Sequence, residues 1–282
     1  MHGIAKIKKE RRQNEMISPP MSFVFHAGSK VGKSTLAASA PGPKLVMDAE
    51  ASYRFLPGRK IFWDPQREPI PILGQGRVEP ELGKPVYSYD WDTCVVIVRG
   101  WPDMLRASEA LRFYPHPFIS FVVDSISEVQ TLCKENLTGR NGQMDRDKWG
   151  ALLSDMVIMC RDLRDLTVHP TNPLRSVVLT AMTYLAAGKW RPYVEGQLKT
   201  KLPYYFDVIG YEYVAEFPAE PGSLNPPTSM RVLAVEPSNT YEAGNRIQET
   251  EFTHKLPALI GNPTIPDMIT AVFGPERQVQ AA

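Results

Sequence analysis

The chain is poor in cysteine, in net charge and in long apolar runs, and each shortage closes off a class of protein. Its three cysteines among 282 residues, Cys94, Cys133 and Cys160, stand far apart without metal-ligand spacing. They read as buried apolar residues of a reduced, intracellular protein, not as disulfide partners or a zinc site. The formal net charge is +1, so no global attraction to nucleic acid operates and any such contact must be a local patch. No apolar stretch approaches the roughly 18 residues that span a bilayer. The charged N-terminus has no apolar segment of a signal peptide behind it. The expectation is a cytoplasmic protein without membrane contact, and no internal repeat is visible.

Proline, by contrast, is abundant at 26 residues, and its clusters mark loops and insertions. Residues 1–20, with Lys6, Lys8, Lys9, Arg11 and Arg12 and closed by Pro19 and Pro20, read as a basic arm, either solvated or in contact with nucleic acid or another subunit. From Met21 short apolar runs alternate with helix-like segments. The runs cover 22–25, 44–48, 93–98, 118–123 and 176–181, nearly continuous in apolar character, as strands buried on both faces of a parallel sheet are. Helical spacing covers 33–40, 102–113, 125–136 and 149–166. This alternation predicts an α/β fold, a mainly parallel twisted sheet flanked by helices. Residues 57–91 are too rich in proline for regular core structure and read as an inserted loop or hairpin. After Tyr204, DVIGYEYVAEF and MRVLAVEP predict a C-terminal antiparallel β extension. The expected division is an arm at 1–20, a core at 21–217 and an extension with a loop-rich tail at 218–282.

The most specific feature is HAGSKVGKST, His26 to Thr35. A phosphate-binding loop needs a glycine, four residues and then Gly-Lys-Ser/Thr, directly after a strand and opening a helix. Gly32, Lys33 and Ser34 supply the second half, while Ala27 holds the first glycine position. Alanine serves there if its φ stays negative; a left-handed conformation would cost about 1–2 kcal/mol. A match with alanine or glycine allowed should arise by chance in roughly 2% of chains this long. The loop Ala27, Gly28, Ser29, Lys30, Val31, Gly32, Lys33, Ser34 and Thr35 therefore predicts nucleoside triphosphate binding. Backbone amides would cradle the phosphates, Lys33 would meet the β/γ oxygens, and Ser34 would ligate Mg²⁺.

Hydrolysis needs further groups. In FISFVVDS, four of the five residues before Asp124 are apolar, which places Asp124 at the carboxyl end of a strand, where open α/β sheets bind ligands. Asp124 is the second Mg²⁺-side group expected, and it also suits the N-cap of the following helix. In KLVMDAEAS, Asp48 suits a cap and Glu50 is placed to polarise water. Tyr53 and Phe55 suit either an adenine platform or the core.

Together, AGSKVGKST, the DAE of KLVMDAEAS and FVVDSISEV resemble the RecA-like P-loop ATPase superfamily, in that family's order. The resemblance implies that Glu50 activates the attacking water and that Asp124 is the Walker B residue. The WG that opens the long helix, the LPYYFDVIGYEYV run and EAGNR are similar to phage-encoded RecA-like ATPases of single-strand annealing and recombination. The likeness spans roughly 21–247, and only the phosphate loop is specific by letter. Where the family has a γ-phosphate-sensing glutamine, this chain reads LTAMTYL, with Thr180 and Thr183 as hydroxyl candidates.

In that family two loops approach DNA. The first here offers Arg140 and Arg146, with Lys148 and Trp149 beside them, and the second offers Lys189, Trp190, Arg191 and Tyr193. Cations that track a backbone and aromatic faces that stack on bases are what single-strand binding requires. Lys199, Lys201 and Arg246 are candidates to reach a neighbouring subunit's triphosphate. The resemblance thus implies a Mg²⁺-dependent ATPase using ATP, in the cytoplasm of a phage-infected host. Its expected partners are single-stranded DNA, a single-strand-binding protein and further copies of itself in a ring or filament. Two rival expectations stand beside it: an ATPase serving helicase loading or packaging through a protein partner, and an annealing module whose nucleotide is structural.

Overall fold

The computed structural model describes residues 19–71, 91–139, 142–217 and 228–275. Its centre is one large sheet in the order β11-β9-β8-β1-β6-β5-β2-β4-β3. The parallel body comprises β1 (Met21–Ala27), β2 (Lys44–Asp48), β3 (Lys60–Phe62), β4 (Thr93–Ile97), β5 (Ser120–Asp124) and β6 (Ser176–Ala186). Strands β1, β2 and β5 are buried residue by residue from end to end. Both faces of these strands are covered, which is why their sequences show continuous apolar runs without alternation.

Helix α1 (Lys33–Ala38) and the C-terminal helix α6 (Ile265–Phe273) cover one face of the sheet. The other face carries α2 (Trp101–Phe113), α3 (Ile126–Thr138) and α4 (Arg146–Asp165). Pro102 opens α2 at a position where a missing amide costs nothing. Ser125 and Asp145 cap α3 and α4 through the amides of Glu128 and Lys148. Each cap contributes about 1 kcal/mol.

Three segments depart from the sequence reading. The insertion contributes β3, which pairs parallel with β4 at the sheet edge, and Trp63 beside it is buried; the remainder of the insertion, 72–90, lies outside the described residues. The extension begins inside the core: β8 (Val208–Phe217) runs parallel to β1 before pairing antiparallel with β9 (Thr228–Ala234). A two-residue strand β10 (Gly244–Asn245) also pairs with β8, and β11 (Leu259–Gly261) pairs with β9. The tail that reads as loop-rich contains α6, whose Ile265, Met268, Ile269 and Val272 pack in the same cluster as Phe23, Phe25 and Leu36.

The strand predicted at 176–181 continues to Ala186. It turns through Ala187 and Gly188, both at positive φ, and returns as β7 (Lys189–Pro192). The second basic segment is therefore a β-hairpin growing out of a core strand. A short helix α5 (Leu198–Lys201) follows it.

Candidate nucleotide site

The carboxyl ends of β1, β2, β5 and β6 meet on one edge of the sheet. The phosphate loop leaves β1 there and enters α1 without a break. Ala27 is the last residue of β1 and is not among the residues at positive φ. The turn is made instead at Lys30, with φ 60, and at Gly32, with φ 139. The alanine thus costs the loop nothing; the conformational freedom of glycine is used one residue before the lysine.

Lys33 is buried beneath the loop, and its ammonium donates to the carbonyls of Gly28 at 2.9 Å and Ala27 at 3.3 Å. Ser29, Lys30 and Thr35 are exposed on the outer side, with Gly28, Val31, Gly32 and Ser34 half-buried.

Asp124 ends β5 fully buried, opposite Asp48 of β2. One carboxylate oxygen accepts from Ser52 Oγ at 3.0 Å, and the other accepts a short hydrogen bond from Thr180 Oγ1. Ser52 Oγ lies 3.4 Å from Ser34 Oγ, so one hydroxyl bridges the loop serine and the strand-end carboxylate. Hydroxyl and carboxylate oxygens are the donors that Mg²⁺ prefers, and it usually takes only one or two of them from protein when phosphates supply the rest. Ser34 and Asp124 fit that requirement.

Asp48 takes the amides of Ser52 at 3.0 Å and Tyr53 at 2.9 Å, capping the turn at 53–55. Burial raises its carboxyl above the usual carboxylate range against those two bonds. The Asp124 carbonyl accepts from the amides of Ala49 at 2.8 Å and Glu50 at 3.3 Å, so the DAE segment is tied by its backbone to the end of β5. The Glu50 side chain is exposed. Tyr53 is 1% exposed and belongs to the core, while Phe55 is 79% exposed.

Residues 20–247 match the family described as an AAA domain, AAA_24. The chain belongs to this AAA domain family. Together with the loop geometry, membership makes the protein an AAA-type P-loop ATPase domain, and nucleotide binding follows. No curated protein matches the chain in sequence. Among solved structures, an ATPase from the type III secretion system of pathogenic bacteria aligns with a TM-score of 0.37 at 14% identity. The alignment covers 68% of this chain and 51% of that one, so the chain spans about half of that structure's length.

The remaining candidates fall in three places. In the hairpin, Lys189, Trp190 and Arg191 are half-buried and Tyr193 exposed. The Trp190 amide donates to the Thr240 carbonyl, and Arg191 stands 3.7 Å from Glu242. Arg146 and Trp149 at the start of α4 line a cavity of about 320 Å³ with Gln130, Glu195 and Gln197, and Lys134 lies over the Trp149 ring. Arg140 lies outside the described residues. Lys199 and Lys201 are exposed on α5. Arg246 bonds to the Tyr204 carbonyl beside the start of β8, at the sheet edge opposite the phosphate loop.

Several residues around the site escaped the sequence reading. Ser52 was hidden because its partners, Ser34 and Asp124, lie 18 and 72 positions away. The carboxyl of Glu128 is raised, by burial first and then by the charge of Glu50. The spacing Ser125-x-x-Glu128 was a legible capping signal for it. Glu212 of β8 and Arg231 of β9 lie behind the phosphate loop and carried no local signal.

Proposed function

We propose that this AAA domain is a Mg²⁺-dependent, RecA-like ATPase that acts on single-stranded DNA, promotes annealing or strand pairing, and works as an oligomer. One observation carries the reading: the nucleotide site and the basic-aromatic hairpin are built on the same strand. Thr180 of β6 donates to Asp124, and three residues later, at Thr183, the strand enters the hairpin. A second tie reinforces the first. Ser127, just beyond Asp124, donates to the Tyr193 carbonyl at 2.6 Å and accepts from the Met182 amide at 2.9 Å. Gln130 holds both backbone groups of Glu195. Any shift of Asp124 on exchange of nucleotide is therefore handed to Lys189, Trp190, Arg191 and Tyr193 through packed, hydrogen-bonded groups. A coupling between sites requires a physical connection of this kind.

In this reading the amides of residues 28–34 cradle the phosphates, and Lys33 neutralises the β/γ oxygens. Ser34 and Asp124 would hold Mg²⁺, which supplies charge neutralisation at the transferring phosphoryl group. Glu50, exposed at the mouth of the site, orients water. Lys199, Lys201 and Arg246 face away from the chain's own loop or out to solvent, as groups serving a neighbouring copy would.

The test is ATP hydrolysis with and without single-stranded DNA, beside Glu50→Gln and the double change Lys189→Ala with Arg191→Ala. Expected are stimulation by DNA, loss of turnover in Glu50→Gln, and loss of stimulation alone in the hairpin variant. Turnover that needs Glu50 but ignores DNA would move the partner from nucleic acid to protein. Annealing that survives Glu50→Gln unchanged would make the nucleotide structural.

A further inference from the structure

The phosphate loop rests on an ion pair that the hydrolytic reading leaves without a task. Glu212 of β8 sits opposite Ala27 of β1 in the sheet register and is fully buried. Arg231 reaches it from β9, with Nη1 3.5 Å from Glu212 Oε1. The other carboxylate oxygen, Oε2, is buried without a hydrogen-bond partner among the described residues. Both side chains press against the loop. A Cβ on Gly32 would lie 2.7 Å from Arg231 Cδ, 2.9 Å from Arg231 Nη1 and 3.0 Å from Glu212 Oε1. The glycine before the lysine is thus required by this pair as well as by its own φ of 139°.

One buried carboxylate here has two cations to satisfy. Burial raises the Glu212 carboxyl, and Arg231 first and Lys33 second oppose that rise. Lys33 itself points to the carbonyls of Ala27 and Gly28. Its ammonium is the group that must be available to incoming phosphate, and a free buried carboxylate next to it would compete for that ammonium. We propose that Arg231 is a positioning residue that occupies Glu212 and so keeps Lys33 available to the nucleotide, with Glu212 setting the charge behind the loop. The three side chains then carry one net positive charge. Without Arg231, Glu212 turns to Lys33 and cancels it; without the Glu212 charge, two cations face the phosphates.

The inference rests on the nucleotide-binding reading of the loop, and its test separates the two. Binding of a fluorescent ATP analogue with Mg²⁺ is measured for the wild type, Arg231→Met, Glu212→Gln and the double variant, with thermal melts in the absence of nucleotide as the check on folding. Arg231→Met should raise Kd at least about tenfold, the loss of one close charge–charge interaction. Glu212→Gln should lower Kd by about threefold or more through the added positive charge. The double variant should return to within about threefold of wild type, because the two changes act on one interaction. A merely structural pair would weaken binding in both single variants, Glu212→Gln included. A folded Arg231→Met protein with wild-type affinity, or a double variant as weak as Arg231→Met, overturns the inference alone. Should Arg231→Met fail to fold, a Glu212→Gln protein that binds more weakly than wild type overturns it equally. A wild-type protein that binds no analogue overturns the reading of the loop, and the inference with it.

Discussion

Thr180→Val is the perturbation that most directly probes how the site is held before nucleotide arrives. Thr180 and Asp124 are both fully buried, and the carboxylate has two hydroxyl donors, Thr180 and Ser52. Valine keeps the β-branched shape, so no cavity opens and packing in β6 is retained. One oxygen of a buried charge loses its donor, which costs about 1.5–3 kcal/mol for a hydrogen bond to an ionised group. The nucleotide-free protein should lose that amount in urea denaturation at pH 7, read as a lower midpoint at unchanged m. Mg²⁺ with ATP should restore part of the loss, since a cation beside Asp124 replaces the missing donor, and a ligand bound only by the folded state adds stability by mass action. The midpoint gain on adding Mg-ATP should therefore be larger for Thr180→Val than for wild type. A variant as stable as wild type without nucleotide would refute the assignment of Thr180 as the donor that sustains Asp124. A variant destabilised equally with and without Mg-ATP would refute the placement of the cation beside that carboxylate.

Three further outcomes follow from burial. His26 is buried, with Nε2–H donating to the Glu242 carbonyl at 2.7 Å and Nδ1 beside the Thr183 hydroxyl; its pKa is lowered to about 4, chiefly by burial. The unfolded chain then takes up a proton near pH 6.5 that the folded chain refuses until about pH 4. Stability should be level above pH 6.5 and fall by about 2 kcal/mol at pH 5 from this residue alone; denaturant melts of wild type and His26→Asn at pH 7 and pH 5 check it, and an equal acid loss in both proteins refutes it. Gly210→Ala should destabilise by about 1–3 kcal/mol through overpacking, since its Cβ would lie 2.5 Å from Leu233 Cδ1 and 2.9 Å from Phe25 Cδ1; an unchanged melting temperature would contradict the close approach of β8 to its neighbours. The three cysteines are buried, with the Cys133 and Cys160 thiols pushed up to about 12. A chromogenic disulfide reagent should leave them unreacted in the folded protein and titrate all three in denaturant; rapid labelling under native conditions would count against this packing.

The parts legible in the sequence share one property: their signal is local. Strands β1, β2 and β5 show as apolar runs because both faces are covered, and the loop from Ala27 to Ser34 shows because its glycine, lysine and hydroxyl stand at fixed offsets along one turn. Asp48, Glu50 and Asp124 could be placed at the ligand edge because each closes or follows such a run. The end of the chain was harder. Helix α6 spans only nine residues, and its meaning lies in the partners it covers, Phe23, Phe25 and Leu36, more than 200 positions earlier. The hairpin at 183–192 reads as a basic loop until β6 is seen to continue through it.

What the sequence determined by itself was therefore the succession of five core strands along the chain, the phosphate loop and the carboxylates at strand ends, since backbone periodicity and short-range spacing encode them. Tertiary structure alone decided that Ser52 and Thr180 hold Asp124, that Ser127 ties the site to the hairpin, and that Glu212 and Arg231 stand behind Lys33. The physical reason is chain crossing. Parallel strands adjacent in the sheet are distant along the chain, as β1 is from β6 and β8, and a side chain's partner in such a sheet is chosen by register across strands.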